Sequence, residues 1–268
     1  MSDTGPGTRI APTAFVGPGV ELGVGVSIGP FAVIVGPTQI GDRVRIGPGA
    51  HVGGAPEIAG VRQNDAWAGD LDHHEVVIGP DTHLRDHVVV HHGSVRPTRI
   101  GARCLLFSRS YVAHDVELGT AVTLSAGVSI GGHATVGDRA NLGLNVSVHQ
   151  RRWVGALSMV GMGTPVTRDV PPFVTVYGVP ARIHGVNRVG LSRAGVGPDV
   201  VAALEAYYTH TYPQAAPAGL GAAVATDLTA GVAVDVAAEL AGWGQVADLR
   251  PMARASAPAG LVTTGPRG

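Results

Sequence analysis

His114 is followed directly by Asp115, and His91, His92, His133 and His149 fall within the same 59-residue stretch of the chain. Imidazole is the side chain best suited to take up and return a proton near neutral pH. A carboxylate against one ring nitrogen would orient such a base and stabilise its cation. A lone histidine is an ordinary surface residue, so this chemistry depends on what gathers the five together.

The gathering element is a repeat. Stepping by six from Ile10 meets only aliphatic residues as far as Ile58. A second run holds Ile78, Leu84 and Val90, and a third runs from Ile100 to Val166, for 24 units in all. One aliphatic residue per six suits a short strand followed by a tight corner, with one side chain pointing inward. Glycine commonly follows it, as at Gly29, Gly47, Gly131 and Gly161, where it would tolerate the corner dihedrals. No single unit can bury its apolar side, so units must stack into a solenoid, and hexads of this kind mean a parallel β-helix. The pattern resembles the left-handed β-helix of hexapeptide-repeat acyltransferases, a triangular prism with three hexads per coil, and on that resemblance 24 units make eight coils. The phase breaks after Ile58 and again after Val90, so loops of about 59–77 and 93–99 must leave the prism. Loops on a rigid scaffold are where binding groups concentrate.

Residues eighteen apart then stack about 4.8 Å from one another on successive coils. His114, Gly132 and Gln150 form one column, and His133 and His149 each lie one residue from it. Allowing for the second break, His92 falls beneath His114, with His91 beside it. A glycine above His114 offers an unobstructed backbone N–H, which suits the oxyanion of acyl transfer. Whether Asp115 reaches His114 depends on a backbone bend, because side chains alternate.

Composition limits the alternatives. Forty glycines and nineteen prolines argue against a helix-rich chain, and aromatics are only 4%. A net charge of −1 gives no basis for binding nucleic acid. All nineteen basic residues are arginine, and a single cysteine excludes an intrachain disulfide. The first residues lack the charged-then-apolar form of a signal peptide, and no apolar run reaches the ~20 residues of a membrane span. The expected location is cytoplasmic. The prism is expected over residues 1–183 and a small helical domain over 184–268, with a frayed tail. A helix with proline in its first turn is expected over 198–208. The Ala-rich segment 219–248 is expected to be helical, most clearly at DVAAEL.

The segments VAHDVELG (112–119), SIGGHATVG (129–137), NVSVHQRRWVG (145–155), TRDVPPFVTVYG (167–178) and HGVNRVGLSRAGV (184–196) resemble the UDP-N-acetylglucosamine acyltransferases of the lipid A pathway. The resemblance implies an all-β, left-handed parallel β-helix (a hexapeptide-repeat solenoid) with a small C-terminal α-helical domain, assembled as a homotrimer. It implies transfer of a 3-hydroxyacyl chain from acyl carrier protein to the 3-hydroxyl of the sugar. His114 would be the base, Asp115 its support, and the Gly132 N–H the oxyanion donor. His91, His133, His149, Gln150 and Asp65 would line the substrate cleft, and Asn187 and Arg193 would contact ligands. Met162 would end the acyl groove, implying a chain of medium length. No metal or bound cofactor is implied, because the donor carries its own 4'-phosphopantetheine. The arginines at 151, 152, 168, 182, 188 and 193 would present a basic face to the acidic carrier.

Two departures concern the acceptor. The family's histidine three residues before the base is Tyr111 here. Its cleft-loop lysine has no counterpart in QNDAWAGD (63–70), although Asp65 can be matched. Acceptors therefore extend to a related nucleotide sugar, an amino sugar acylated on nitrogen, or a secondary metabolite. A γ-type carbonic anhydrase shares the prism, and His87 and His92, with His73 and His74 nearby, are the residues that could serve a zinc site in that reading.

Overall fold

The structure is a computed structural model, and it describes residues 6–213, 224–226, 233–246 and 249–255. The hexads fold as two- to four-residue strands that wind into a three-faced parallel β-solenoid. The first face stacks nine parallel strands from Arg9–Ile10 to Val174–Tyr177. The second stacks eight, from Phe15–Val16 to Pro165–Val166, and the third seven, from Val20–Leu22 to Trp153–Val154. Register is eighteen residues wherever the repeat is unbroken, as in Tyr111↔Ser129 and Ser129↔Ser147.

The aliphatic residue of each unit fills the prism axis. From Ile28 to Val166 every such side chain within a strand is at most 3% exposed. Each contributes about 1.5–3 kcal/mol of apolar burial. Cys104 lies in this interior, and burial pushes its thiol up to about 11, which makes it a packing residue.

Two units differ from the sequence reading. Ile58 continues the six-residue phase but lies in no strand, because the chain leaves the prism after His51–Gly54. The last parallel strand is Val174–Tyr177, which stacks on Met159–Val160 at a spacing of sixteen. The glycine after each aliphatic residue also serves a different purpose. A Cβ on Gly131 would meet Gln150 N at 2.7 Å, so this glycine permits close stacking of coils. The left-handed backbone falls two residues later, and there Asp115, His133 and Arg151 have φ near +60°.

Beyond the prism, Arg182–Val186 pairs antiparallel with Val174–Tyr177. Among the described residues three α-helices follow, α1 (Arg188–Arg193), α2 (Pro198–Ala206, continued by a π-helical turn Tyr207–Thr211) and α3 (Val236–Gly244). α2 begins at proline, as its sequence predicts. Of the Ala-rich segment, α3 is helical, whereas Val224–Thr226 and Ala233–Asp235 pair as antiparallel strands, in line with their β-branched residues. The expected tail, 256–268, lies outside the described residues, as do Met1–Gly5. Residues 249–255 run back along the prism, with bridges Asp169↔Pro251 and Ile183↔Arg254.

Candidate active site

His114 sits on the corner between the second-face strand Tyr111–Val112 and the third-face strand Glu117–Leu118. Asp115 follows with φ +61°, and this left-handed bend turns its carboxylate back onto the imidazole. His114 Nδ1 lies 2.6 Å from Asp115 Oδ2. A carboxylate oxygen accepts, so Nδ1 is the donor in this contact and Nε2 lies on the far side of the ring from it. Both residues are buried.

The second break in the repeat supplies the support. The N–H groups of Ser94, Val95 and Arg96 donate to Asp115 Oδ1 at 3.0, 2.9 and 2.9 Å, and Ser94 Oγ donates to Oδ2 at 2.6 Å. Arg96 also donates through Nε and Nη2 to the Asp115 carbonyl, and Thr98 Oγ1 accepts from the Asp115 N–H. Burial pushes the Asp115 carboxyl upward. The bonds from Ser94, Val95, His114 and Arg96 outweigh it and hold the group well below the usual carboxylate range. Asp115 is thus a fixed anion beneath the imidazole. Ser94, Val95, Arg96 and Thr98 were not legible as site residues, since most of them act through the backbone. The available signal was that the insertion falls one coil below His114.

Directly above lies Gly132. A Cβ there would lie 2.5 Å from His114 Nε2 and closer still to Cε1, so the imidazole occupies the space that a side chain at 132 would need. Among the described residues the Gly132 N–H has no acceptor, whereas its neighbours bond Val148 O and His114 O. His133 completes the cluster. Its ring meets His114 edge-on at 5.0 Å, and its Nε2 lies 3.7 Å from Asp115 Oδ2. Burial, with Arg151, His114 and Arg96, pushes the His133 imidazole down against the opposing pull of Asp115.

The remaining expected residues are spread out. His149 and Gln150 are exposed one coil above Gly132. His91 is buried one coil below, with Nδ1 2.8 Å from Ala55 O and its ring 5.2 Å from Tyr111. Asp65 is exposed on the 55–75 loop and makes no hydrogen bond to the cluster. Met162, 73% exposed, lies on the corner between the first and second faces. Asn187 and Arg193 line a separate cleft with Leu157 and Met159, on the corner between the third and first faces. Asn187 also caps α1, accepting from Gly190 N at 3.0 Å and donating to Leu157 O at 2.8 Å. His114, Met162 and Arg193 therefore occupy three different edges of one prism.

Two expected basic contacts are engaged within the chain. Arg152 is buried against Asp169 at 2.9 Å, and Arg188 pairs with Glu205. At the position of the departing histidine, the Tyr111 hydroxyl donates to Glu57 Oε2 at 2.7 Å. Sequence spacing could not reveal this pair, because Glu57 arrives from the excursion loop.

His92 is fully buried beneath that loop, its ring 6.4 Å from His73. Burial, with His73, pushes it down to about 4 from 6.5, against the opposing pull of the Pro37 and Val35 carbonyls. Between these values the unfolded chain binds more protons, so stability is complete above the higher value and falls as pH drops toward the lower. Wild type should lose about 2 kcal/mol more unfolding free energy than His92→Phe between pH 7.5 and pH 5, by urea titration. Equal losses would refute this.

Among the described residues, His114, Asp115 and His133 are the only trio able to hold a metal, with donor atoms within 4.8 Å of one another. His73, His74, His87 and His92 form no such group. No helix among the described residues is long and apolar enough to cross a membrane.

Residues 169–226 match the family model of UDP-N-acetylglucosamine O-acyltransferase domain 2. Residues 19–54 match the bacterial transferase hexapeptide (six repeats), and 97–131 the hexapeptide repeat of succinyl-transferase. The acyl-[acyl-carrier-protein]–UDP-N-acetylglucosamine O-acyltransferase of Alkalilimnicola ehrlichii is 39% identical over 149 residues, covering 54% of this chain and 57% of the relative. Its Burkholderia thailandensis counterpart is 35% identical over 140 residues, covering 51% and 53%. The chain thus spans just over half the length of the curated relatives it matches. The Francisella novicida UDP-N-acetylglucosamine acyltransferase superposes with TM-score 0.63 at 27% identity, covering 78% of each chain. The Campylobacter jejuni enzyme gives 0.66 at 26%, covering 79% of this chain and 85% of its own. In sequence, in fold and in the domain that follows the prism, the chain resembles the UDP-N-acetylglucosamine O-acyltransferases of the hexapeptide-repeat group.

Proposed function

We propose that this protein moves a 3-hydroxyacyl chain of about ten carbons from the thioester of acyl carrier protein to the 3-hydroxyl of UDP-N-acetylglucosamine or a related nucleotide sugar. The observation that carries the reading is the 2.6 Å contact from Asp115 to His114 Nδ1, beneath a glycine amide that has no acceptor among the described residues. His114 Nε2 takes the hydroxyl proton as the sugar oxygen attacks the thioester carbonyl. The Gly132 N–H stabilises the tetrahedral oxyanion, and Asp115 stabilises the imidazolium. The carbon–sulfur bond then breaks, and the imidazolium returns its proton to the departing thiolate. The products are an ester and the free carrier thiol.

Asp115 serves better as an orienting anion than as a metal ligand, since the imidazole and four donors from Ser94, Val95 and Arg96 already engage both of its oxygens. The chemistry then needs no bound cofactor. Zinc at one ion per chain together with carbon dioxide hydration would favour the anhydrase reading instead. The separation of His114, Met162 and Arg193 onto three edges supports a homotrimer, in which edges of neighbouring chains form one groove. Exposed Met162 would close the acyl end of that groove.

The Tyr111–Glu57 hydrogen bond supports a second reading of the acceptor. It places a carboxylate at the position of the family's missing histidine, which suits an amino sugar acylated on nitrogen. Mass spectrometry of products from a panel of nucleotide sugars and carrier-bound acyl donors tests both readings. An adduct heavier by one acyl residue is expected, best with donors of about ten carbons. Clear preference for much longer donors would overturn the role of Met162, and no transfer to any sugar would overturn the function.

A further inference from the structure

A second cavity opens beside the cluster, about 1050 Å³ in volume, and its walls include Arg96, His133, Arg151, Arg152, Trp153 and Arg250. It is built from three separate parts of the chain. Arg96 comes from the loop that clamps Asp115, and His133 and Arg151 stack above Asp115 at the left-handed corner positions. Arg250 comes from the C-terminal segment, held in place because Asp169 N donates to Arg250 O at 2.8 Å and Met252 N to Asp169 O at 3.0 Å.

The charge of this cavity is one-sided. Among the described residues its one carboxylate, Asp169, is already engaged by Arg152 at 2.9 Å, by the Trp153 N–H at 2.8 Å and by the Arg250 N–H. Among the described residues the guanidinium groups of Arg151 and Arg250 have no acceptor. The buried indole N–H of Trp153 also has none. Among the described residues, two unpaired guanidiniums, an unpaired indole N–H and a histidine make a site rich in donors and without a free acceptor carboxylate. Guanidinium forks match phosphate oxygens in geometry and charge.

We propose that this cavity binds the phosphate group of a substrate, with Arg151 and Arg250 as its ligands. The proposal rests on the acyltransferase reading for the identity of that substrate. Both reactants of that reading carry phosphate: the nucleotide sugar as a diphosphate, and the carrier's prosthetic arm as a phosphodiester. His133 joins the cavity to the reacting centre, so a phosphate held here fixes how its substrate enters.

Binding, measured without turnover, is the test. Inorganic diphosphate, UDP and free 4'-phosphopantetheine are titrated calorimetrically into the full-length protein and into Arg151→Ala, Arg250→Ala and the double variant. Each single change should weaken diphosphate at least tenfold, and Arg250→Lys should recover part of the loss. Whether UDP or phosphopantetheine weakens in parallel identifies the source of the phosphate. Arg151→Ala guards against a change that merely detaches the C-terminal segment, because Arg151 belongs to the prism. Unchanged affinity for all three ligands in the double variant would overturn the proposal. Phosphate binding lost on substitution, in a protein that transfers no acyl group, would sustain the cavity while refuting the function. Acyl transfer with an unchanged KM in the double variant would do the reverse.

Discussion

His114→Ala should lower the turnover of acyl transfer by roughly 10²–10⁴-fold, the usual range for loss of a positioned general base. Folding should survive, because the side chain lies at a corner and outside the row of aliphatic residues that fills the prism. The loss should fall on kcat with little change in KM, since the proton moves only as the transition state forms. Steady-state kinetics with a carrier-bound donor and the acceptor found in the product panel measure this directly. Asp115→Asn should lower turnover as well, through a different route. It would leave His114 Nδ1 facing an amide that cannot stabilise an imidazolium. A solenoid without catalysis would lose nothing in either variant.

Gly132→Ala should be nearly as damaging, although it removes no functional group. The added methyl would lie within van der Waals radii of the imidazole, 2.5 Å from Nε2. The obstacle is a side chain, so the ring must swing away while the coil itself keeps its place. A displacement of about 1 Å at a reacting group costs on the order of 10²-fold in rate. In the double variant Gly132→Ala/His114→Ala the methyl has no ring to displace. The two changes should therefore be strongly non-additive, with the double variant close to His114→Ala alone. Full additivity would mean that Gly132 acts independently of the imidazole.

Much of this arrangement was legible in the chain, because a solenoid converts spacing directly into position. His114, Gly132 and Gln150 share a column for no reason beyond their eighteen-residue separation, and the eighteen-residue register bears this out. The orientation of Asp115 was not legible. It depends on a left-handed φ at the third corner residue, a conformation that sequence normally advertises with glycine, and here aspartate occupies it. The carboxylate clamp was hidden for a related reason, since three of its four donors are backbone N–H groups of an insertion. Periodicity misled at Ile58, where the loop happens to keep phase. It missed Val174–Tyr177, where the final coil is two residues short. Glu57 and Arg250 reach the site neighbourhood from outside the repeat, and no spacing rule reaches them.

The central claim is that Asp115 holds His114 as a base with a bare Nε2 facing the Gly132 amide. Nitrogen-15 NMR of histidine-labelled protein, recorded where the ring is neutral and assigned by loss of the signal in His114→Ala, tests it directly. The account predicts that His114 carries its proton on Nδ1, and that Asp115→Asn disturbs this preference. A proton on Nε2 in the wild-type protein would contradict it.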